Sequence, residues 1–263
     1  MSNIKGSNIL ITGGTAGIGK ALADRVLELG AASVTIWGTN RPRLEQALGE
    51  WRRKGYKVFG YTVDISDAQA VLQTAALVLE EAGLPDILVN NAGIAVRKPF
   101  WEHAQPEMDR IIATNIGGSL SVTRAFLPAM INRGSGHIVN NSSAVGLMPN
   151  PCMSVYAASK WAMVGWSESL RLELEALKGD FHVTTVTTSY VDTGLLDNVK
   201  APLFTPVLKA EKVAAAITRA IRRNSTSLRL PFTANFLPLL RGLLPTRAFD
   251  SLIGRGLRIY NKV

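Results

Sequence analysis

Cysteine is almost absent from this 263-residue chain. Cys152 is the only one, which excludes an intramolecular disulfide and suits a reducing, cytoplasmic compartment. Histidine is scarce as well: His103, His137 and His182 stand far apart. With no second cysteine and no His-x-x-x-His pair, no metal site is expected. No stretch reaches the roughly 20 apolar residues that cross a bilayer. The opening Met-Ser-Asn-Ile-Lys-Gly-Ser lacks the apolar core of a signal peptide. Internal repeats and low-complexity linkers are missing too. Acids are outnumbered, 20 against 29 lysines and arginines, for a formal charge of +9. That charge would attract nucleic acid, but no recognition motif accompanies it, so nucleic acid is not an expected partner.

What remains is an ordinary globular composition, 47% hydrophobic, in a length that suits one α/β domain. Apolar strand-like runs recur at 8–12, 33–37, 58–63, 86–90, 136–141 and 182–188, with helical segments between most of them. Such alternation predicts a parallel, doubly wound sheet with helices on both faces. Ligands of these sheets bind beyond the carboxyl ends of the strands. Gly13, residues 38–41, Asp64, Asn91 and Ser143 all fall just after predicted strands, so they converge on one edge.

Two motifs give that edge a chemistry. Gly13-Gly-Thr-Ala-Gly17-Ile-Gly19 follows the first strand and opens a helix over 20–29. Glycines there let the backbone turn sharply and approach a pyrophosphate seated on the helix N-terminus. In the second motif, Tyr156 is followed by Lys160 and preceded by Ser143. On a helix, i and i+4 share a face, which sets the Lys160 ammonium beside the Tyr156 phenol. A nearby cation favours the phenolate and, together with a charged cofactor, can draw its pKa down from about 10 toward neutrality. The serine hydroxyl would orient a carbonyl or alcohol oxygen.

Thr12-Gly13-x-x-x-Gly17-x-Gly19, Asp64, Asn90-Asn91-Ala92-Gly93, Asn115, Ser143, Tyr156 and Lys160 together resemble the short-chain dehydrogenase/reductase superfamily, from about residue 6 to 195. The resemblance implies one Rossmann-type domain that moves hydride between a nicotinamide and an alcohol or ketone. It implies catalytic roles for Asn115, Ser143, Tyr156 and Lys160. Tyr156 acts as general acid or base, Lys160 stabilises its anion and binds the nicotinamide ribose, Ser143 polarises the carbonyl, and Asn115 kinks its helix and holds a water touching the lysine. The implied cofactor cradle comprises Gly13, Thr15, Gly17, Ile18, Gly19, Asp64, Ile65, Asn91, Ala92, Gly93, Val191 and Thr193, with Tyr156 and Lys160 shared. Asp64 would meet the adenine amino group, and Thr193 the carboxamide. Ser142 neighbours Ser143, but the spacing to the tyrosine favours Ser143.

Cofactor choice turns on Trp37-Gly38-Thr39-Asn40-Arg41. The acid that holds the ribose 2′-OH in NAD-selective sites would align with Gly38 and is missing. Thr39, Asn40 and Arg41 are placed to meet a 2′-phosphate, so NADP is expected, with NAD as the alternative. Arg41 and Arg43 could equally decorate a solvated helix start.

Departures narrow the branch. Ser189-Tyr190 replaces the Pro-Gly usual after the sixth strand, which puts the usual backbone turn in doubt. An aromatic there followed by Val191-x-Thr193-Gly194, with Phe126-Leu-Pro-Ala-Met130, is similar to the retinol and 17β-hydroxysteroid dehydrogenase branch. Leu147, Met148, Pro149, Cys152, Met153 and Val155 border the expected substrate, and Leu195, Leu196, Leu203 and Phe204 fall where a lid usually forms. Together they suit a hydrophobic secondary alcohol or ketone, steroid- or retinoid-like, or equally plain core packing. Competing readings are a 3-oxoacyl thioester (acyl-carrier) reductase and a non-catalytic NADP-binding sensor or surface-association protein.

The first 225 residues are read as the dinucleotide-binding and catalytic part, and 226–263 as a basic, apolar extension of the same domain. From Phe232 onward Arg241, Arg247, Arg255, Arg258 and Lys262 face one acid, Asp250. Such a tail would cap the pocket, cover an oligomer surface or lie on a membrane. Pro238 and Pro245 cut any continuous helix. The resemblance also implies a homodimer or homotetramer, paired through the helix of Tyr156 by exposed-looking Trp161, Met163 and Trp166.

Overall fold

A computed structural model describes residues 2–194 and 206–260. Seven parallel strands form the central sheet: β1 (Asn8–Thr12), β2 (Ser33–Gly38), β3 (Val58–Thr62), β4 (Ile87–Asn90), β5 (Ser135–Asn141), β6 (Asp180–Thr188) and, after two short strands, β9 (Ser227–Leu230). Their order is β3-β2-β1-β4-β5-β6-β9. The winding reverses between β1 and β4, which opens a crevice above the ends of those two strands. Short β7 (Val191–Asp192) and β8 (Leu208–Lys209) pair with each other. The six strand-like runs of the sequence are β1 to β6. β9, with β7 and β8, was not anticipated: four residues reading Ser-Leu-Arg-Leu carry too little pattern to separate a strand from a loop.

Alternate side chains of each strand serve opposite faces. Ile9 and Ile11 point with Val34, Ile36, Val89 and Val186 into one core layer. That layer is covered by α1 (Gly17–Glu28), α2 (Arg41–Arg53) and α7 (Ala210–Arg222). Leu10, Trp37 and Leu88 point the other way, against α3 (Ala68–Glu81) and α5 (Ser119–Arg133). Farther along that face Ile138 and Val183 meet α6 (Ser154–Glu175). The doubly wound α/β sheet with helices on both faces is therefore the observed architecture.

The remaining helix of the catalytic half, α4 (Gln105–Ile112), runs into α5 through a π-helical turn, Ala113–Gly118. At the C-terminus a 3₁₀ turn, Phe232–Phe236, continues into α8 (Leu237–Leu243). Then come α9 (Thr246–Phe249) and a π turn, Asp250–Arg255. Pro238 lies in the first turn of α8, where a helix tolerates it, so the helical stretch runs through it unbroken; only Pro245, which caps α9, marks a break. The segment folds back on the loop after β5: Met148 is buried with Ala234, Leu237 and Phe249.

Candidate active site

The first turn of α1 is built to receive an anion. Its cap residue, Ala16, offers no side-chain hydrogen bond, and no acid stands in the first turn. The N-terminal N–H groups are therefore left for a ligand. Gly13 and Gly17 have φ of +68° and +52°, which favour glycine. A Cβ on Gly13 would lie 2.8 Å from the Ala92 backbone, and one on Gly17 would press on Thr193 at 3.0 Å. A Cβ on Gly19 would strike the Gly13 carbonyl and come within 2.6 Å of Asn91 Nδ2. Gly13, Gly17, Gly19, Ala92 and Thr193 are thus brought together in one close-packed turn of mostly bare backbone at the N-terminus of α1. Thr15 packs beside Gly38, and Ile18 lines the adjoining cavity.

Hydrogen bonds tie this cradle to the lysine. Thr12 Oγ1 accepts from the N–H of Asn91 and Ala92 at 3.0 and 3.1 Å. Asn91 Nδ2 donates to the carbonyls of Thr12 and Gly13, and Asn91 Oδ1 accepts from Asn141 Nδ2 at 2.9 Å. Lys160 Nζ donates to the Asn141 carbonyl at 2.9 Å. Asn141 and Ser159 escaped the sequence reading. Asn141 holds the lysine by a main-chain oxygen, which no side chain advertises.

Along α6, Tyr156, Lys160, Met163, Ser167, Leu170 and Leu174 are all buried, at the 3.6-residue repeat of one helix face. Met163 lies two turns beyond Tyr156, so it is buried and not exposed as its dimer-contact reading required. Trp161 stays 38% exposed, and Trp166 is half-buried.

Asn115 sits fully buried in the π turn between α4 and α5, a local widening of the helical ladder. Its Oδ1 accepts from Ile94 N–H at 2.8 Å. Its Nδ2 donates to the Ile94 carbonyl at 2.9 Å and to Ser159 Oγ at 3.0 Å. Ser159 in turn donates to the Tyr156 carbonyl. A Cβ on Gly93 would meet Asn115 Oδ1 at 3.2 Å and Lys160 Nζ at 3.6 Å, so this glycine keeps the two groups in one space.

Ser143 follows β5 and opens a short 3₁₀ turn, Ala144–Gly146. Its hydroxyl donates to the Thr188 carbonyl at 3.4 Å; it also lowers the pKa of Tyr156, yet burial outweighs this and pushes the phenol up to about 12. Lys160 Nζ lies 5.7 Å from the ring centroid and is spent on Asn141. Burial lowers Lys160 itself to about 8. Ser142 is occupied elsewhere, donating to the Lys160 carbonyl at 2.9 Å.

At the second strand's end Asn40 caps α2, accepting from Arg43 N–H. Arg41 is exposed and paired with Glu45 at 2.7 Å, a surface contact a stronger anion can displace. Thr39 is exposed beside them. Asp64 Oδ1 is held by the N–H and hydroxyl of Ser66. Asp67, not Asp64, caps α3, and Ile65 is buried against Gly118.

Above Ser143, Tyr156 and Lys160 opens a cavity of about 710 Å³. Its walls include Val145, Met148, Met153 and Tyr190 from the catalytic half. Leu237, Leu240, Ile253 and Leu257 come from the C-terminal segment. Where Pro-Gly is usual, Ser189 N–H donates to the Leu230 carbonyl and the Tyr190 carbonyl accepts from Leu208. The chain thereby enters the β7–β8 ladder. Leu195, Leu196, Leu203 and Phe204 lie outside the described residues. No helix among the described residues is long and apolar enough to cross a membrane.

Comparison with known proteins agrees with this geometry. Estradiol 17-beta-dehydrogenase 11 of Pongo abelii is 31% identical, covering 96% of this chain and 87% of that protein. Epidermal retinol dehydrogenase 2 of Mus musculus is 33% identical, over 93% and 80%. A Burkholderia phymatum short chain dehydrogenase/reductase solved in complex with NAD superposes with a TM-score of 0.83 at 25% identity, covering 98% of both chains. The profile described as short chain dehydrogenase matches residues 7–203. The chain belongs to the short-chain dehydrogenase/reductase family, as an enzyme similar to its retinol and 17β-hydroxysteroid dehydrogenase branch.

Proposed function

We propose that the chain catalyses hydride exchange between a nicotinamide cofactor and a secondary alcohol or ketone on an apolar, steroid- or retinoid-like molecule. The carrying observation is that Ser143, Tyr156 and Lys160 meet at the floor of one largely apolar cavity. When bound, the cofactor supplies or accepts the hydride.

The chain's own groups do the rest. The glycine cradle and the α1 N-terminus take the pyrophosphate. Ser143 holds the substrate oxygen and Tyr156 exchanges a proton with it. With its phenol pushed up to about 12, Tyr156 carries its proton at neutrality, ready to protonate a ketone oxygen. Lys160, lowered to about 8, is a cation below that pH, and its proton is the more acidic of the two, so return of a proton from the lysine side to the tyrosinate is downhill. Asn115 holds the Ile94 segment and Ser159 in register beneath both groups. Apolar walls exclude water from the reacting atoms.

NADP is the preferred cofactor in this reading, because no acid stands at Gly38 and the Arg41 guanidinium lies at the edge where a 2′-phosphate would project. NAD, the ligand of the Burkholderia phymatum protein, is the alternative. A groove lined by exposed Leu120 and Ile131 and half-buried Leu127 and Trp166, with buried Leu170 at its base, supports pairing of two copies through α5 and α6. A single cysteine fits cytoplasmic residence.

The test is NADPH oxidation with a panel of steroid and retinoid ketones and aldehydes beside 3-oxoacyl thioesters, for wild type and Tyr156→Phe. The reading expects turnover of the apolar carbonyls, falling about 10²-fold or more in Tyr156→Phe while NADPH still binds. Thioester turnover alone favours the acyl-carrier alternative. Binding without turnover of any compound favours a sensor.

A further inference from the structure

The C-terminal cap is apolar on two sides. Along the continuous helical stretch 232–243, Ala234, Leu237 and Leu240 turn inward onto Met148. Phe232, Phe236, Leu239 and Leu243 turn outward, 74%, 48%, 58% and 72% exposed. Their spacing of four, three and four residues makes one helical stripe, and the rings of Phe232 and Phe236 touch edge to face at 5.7 Å. Leu252, 60% exposed, adds to it from the following π turn. A helix that is apolar all round is normally buried, and a contiguous apolar patch on a surface marks an interaction site.

Charge identifies the occupant. Arg247, Arg255 and Arg258 in the same segment are exposed. Arg241 is spent on the protein, stacked over Trp161 at 4.3 Å. Asp250, the one acid, accepts from the Tyr260 hydroxyl at 2.6 Å. An apolar stripe in the same segment as exposed arginines that form no ion pair among the described residues, on a chain of formal charge +9, is complementary to a lipid surface carrying negative headgroups. Phe236 belongs both to the stripe and to the cavity wall, so the outer stripe adjoins the cavity.

We propose that the outer face of this cap docks the protein on an anionic membrane surface, with the cavity mouth beside the lipid from which its substrate is drawn. The choice of an apolar substrate rests on the function proposed above; the docking itself does not. A short two-faced segment of this kind binds reversibly, since its apolar surface enters only the interface and spans nothing.

Flotation of the full chain with vesicles of phosphatidylcholine alone, or with added phosphatidylglycerol, tests this without any turnover. Wild type is expected to float with the phosphatidylglycerol vesicles, and less as salt rises. Leu239→Ser/Leu243→Ser, residues outside the cavity wall, is expected to lose about tenfold or more of that binding. Arg247→Gln/Arg255→Gln/Arg258→Gln is expected to fall to the level seen on phosphatidylcholine. NADPH binding by both variants certifies their fold. The proposal is overturned if wild type stays unbound on both vesicles, or if the leucine variant floats as well as wild type. It is overturned too if sedimentation shows a wild-type assembly that the leucine variant dissolves, because a second copy then covers the face. Absence of ketone turnover in a protein that floats would defeat the function reading and leave docking intact.

Discussion

Lys160→Met is expected to abolish turnover and yet make the cofactor-free chain more stable at neutral pH. Lys160 is 4% exposed, its ammonium donates to the Asn141 carbonyl, and no carboxylate of the described residues pairs with it. Burial lowers its pKa from 10.5 to about 8. At about 1.4 kcal/mol for each tenfold change, keeping the charge inside costs on the order of 3 kcal/mol. The sign follows from proton counting. Between pH 8 and 10.5 the unfolded lysine binds a proton that the folded one has lost, so stability rises with pH across that window. Below pH 8 both states are charged and the whole cost remains. Methionine matches the length and stays neutral, while the Asn141 carbonyl loses one hydrogen bond, worth about 1 kcal/mol. The net gain is about 2 kcal/mol at pH 7, or roughly 4–8 °C in melting temperature for a chain of this size. Near pH 9.5 the wild type has escaped about half of the cost and the advantage shrinks toward zero. Scanning calorimetry of both proteins without nucleotide at pH 7 and 9.5 checks this. A variant less stable than wild type at pH 7, or an advantage that does not shrink with rising pH, would show that the lysine is not carried at a stability cost.

Two further substitutions probe what holds the site. Asn115→Ala removes both partners of the Ile94 peptide groups and one of Ser159; at a fully buried site this is expected to cost about 2–3 kcal/mol, read by urea unfolding, and a loss within 0.5 kcal/mol of zero would refute it. Gly38→Asp restores the missing acid where its Cβ would stand 3.1 Å from Thr15 Cγ2. Repulsion between a carboxylate and a 2′-phosphate costs on the order of several kcal/mol, so the ratio of NADPH to NADH affinity is expected to fall by about tenfold or more. An unchanged ratio would place the 2′-phosphate elsewhere.

The parts of the site that follow local geometry were legible in the sequence. Tyr156 and Lys160 needed only the helical repeat, and the glycine turn needed only a strand before it and a helix after it. Six strands announced themselves as apolar runs because both sheet faces are covered, so their side chains are apolar on either side. Met163 misled because burial on α6 is decided by phase: counted from Tyr156, the same repeat that places Lys160 also turns Met163 inward. The Asn141 carbonyl and the link from Ser159 to Asn115 left no mark, since main-chain acceptors and small hydroxyls read alike wherever they stand.

The balance of charge at the tyrosine was illegible for a different reason. Spacing gives the distance between phenol and ammonium but not the dielectric around them, and here burial moves the two groups in opposite directions. A phenol pushed up and an ammonium pushed down both show that burial disfavours charge here, yet at neutrality the tyrosine keeps its proton and the lysine its charge. The C-terminal segment shows the same limit on a larger scale. Its composition stated that arginines and leucines share a stretch with Pro238 and Pro245. Only Met148, reaching across from the loop after β5, fixed which leucines turned inward, and by elimination left Leu239 and Leu243 outside.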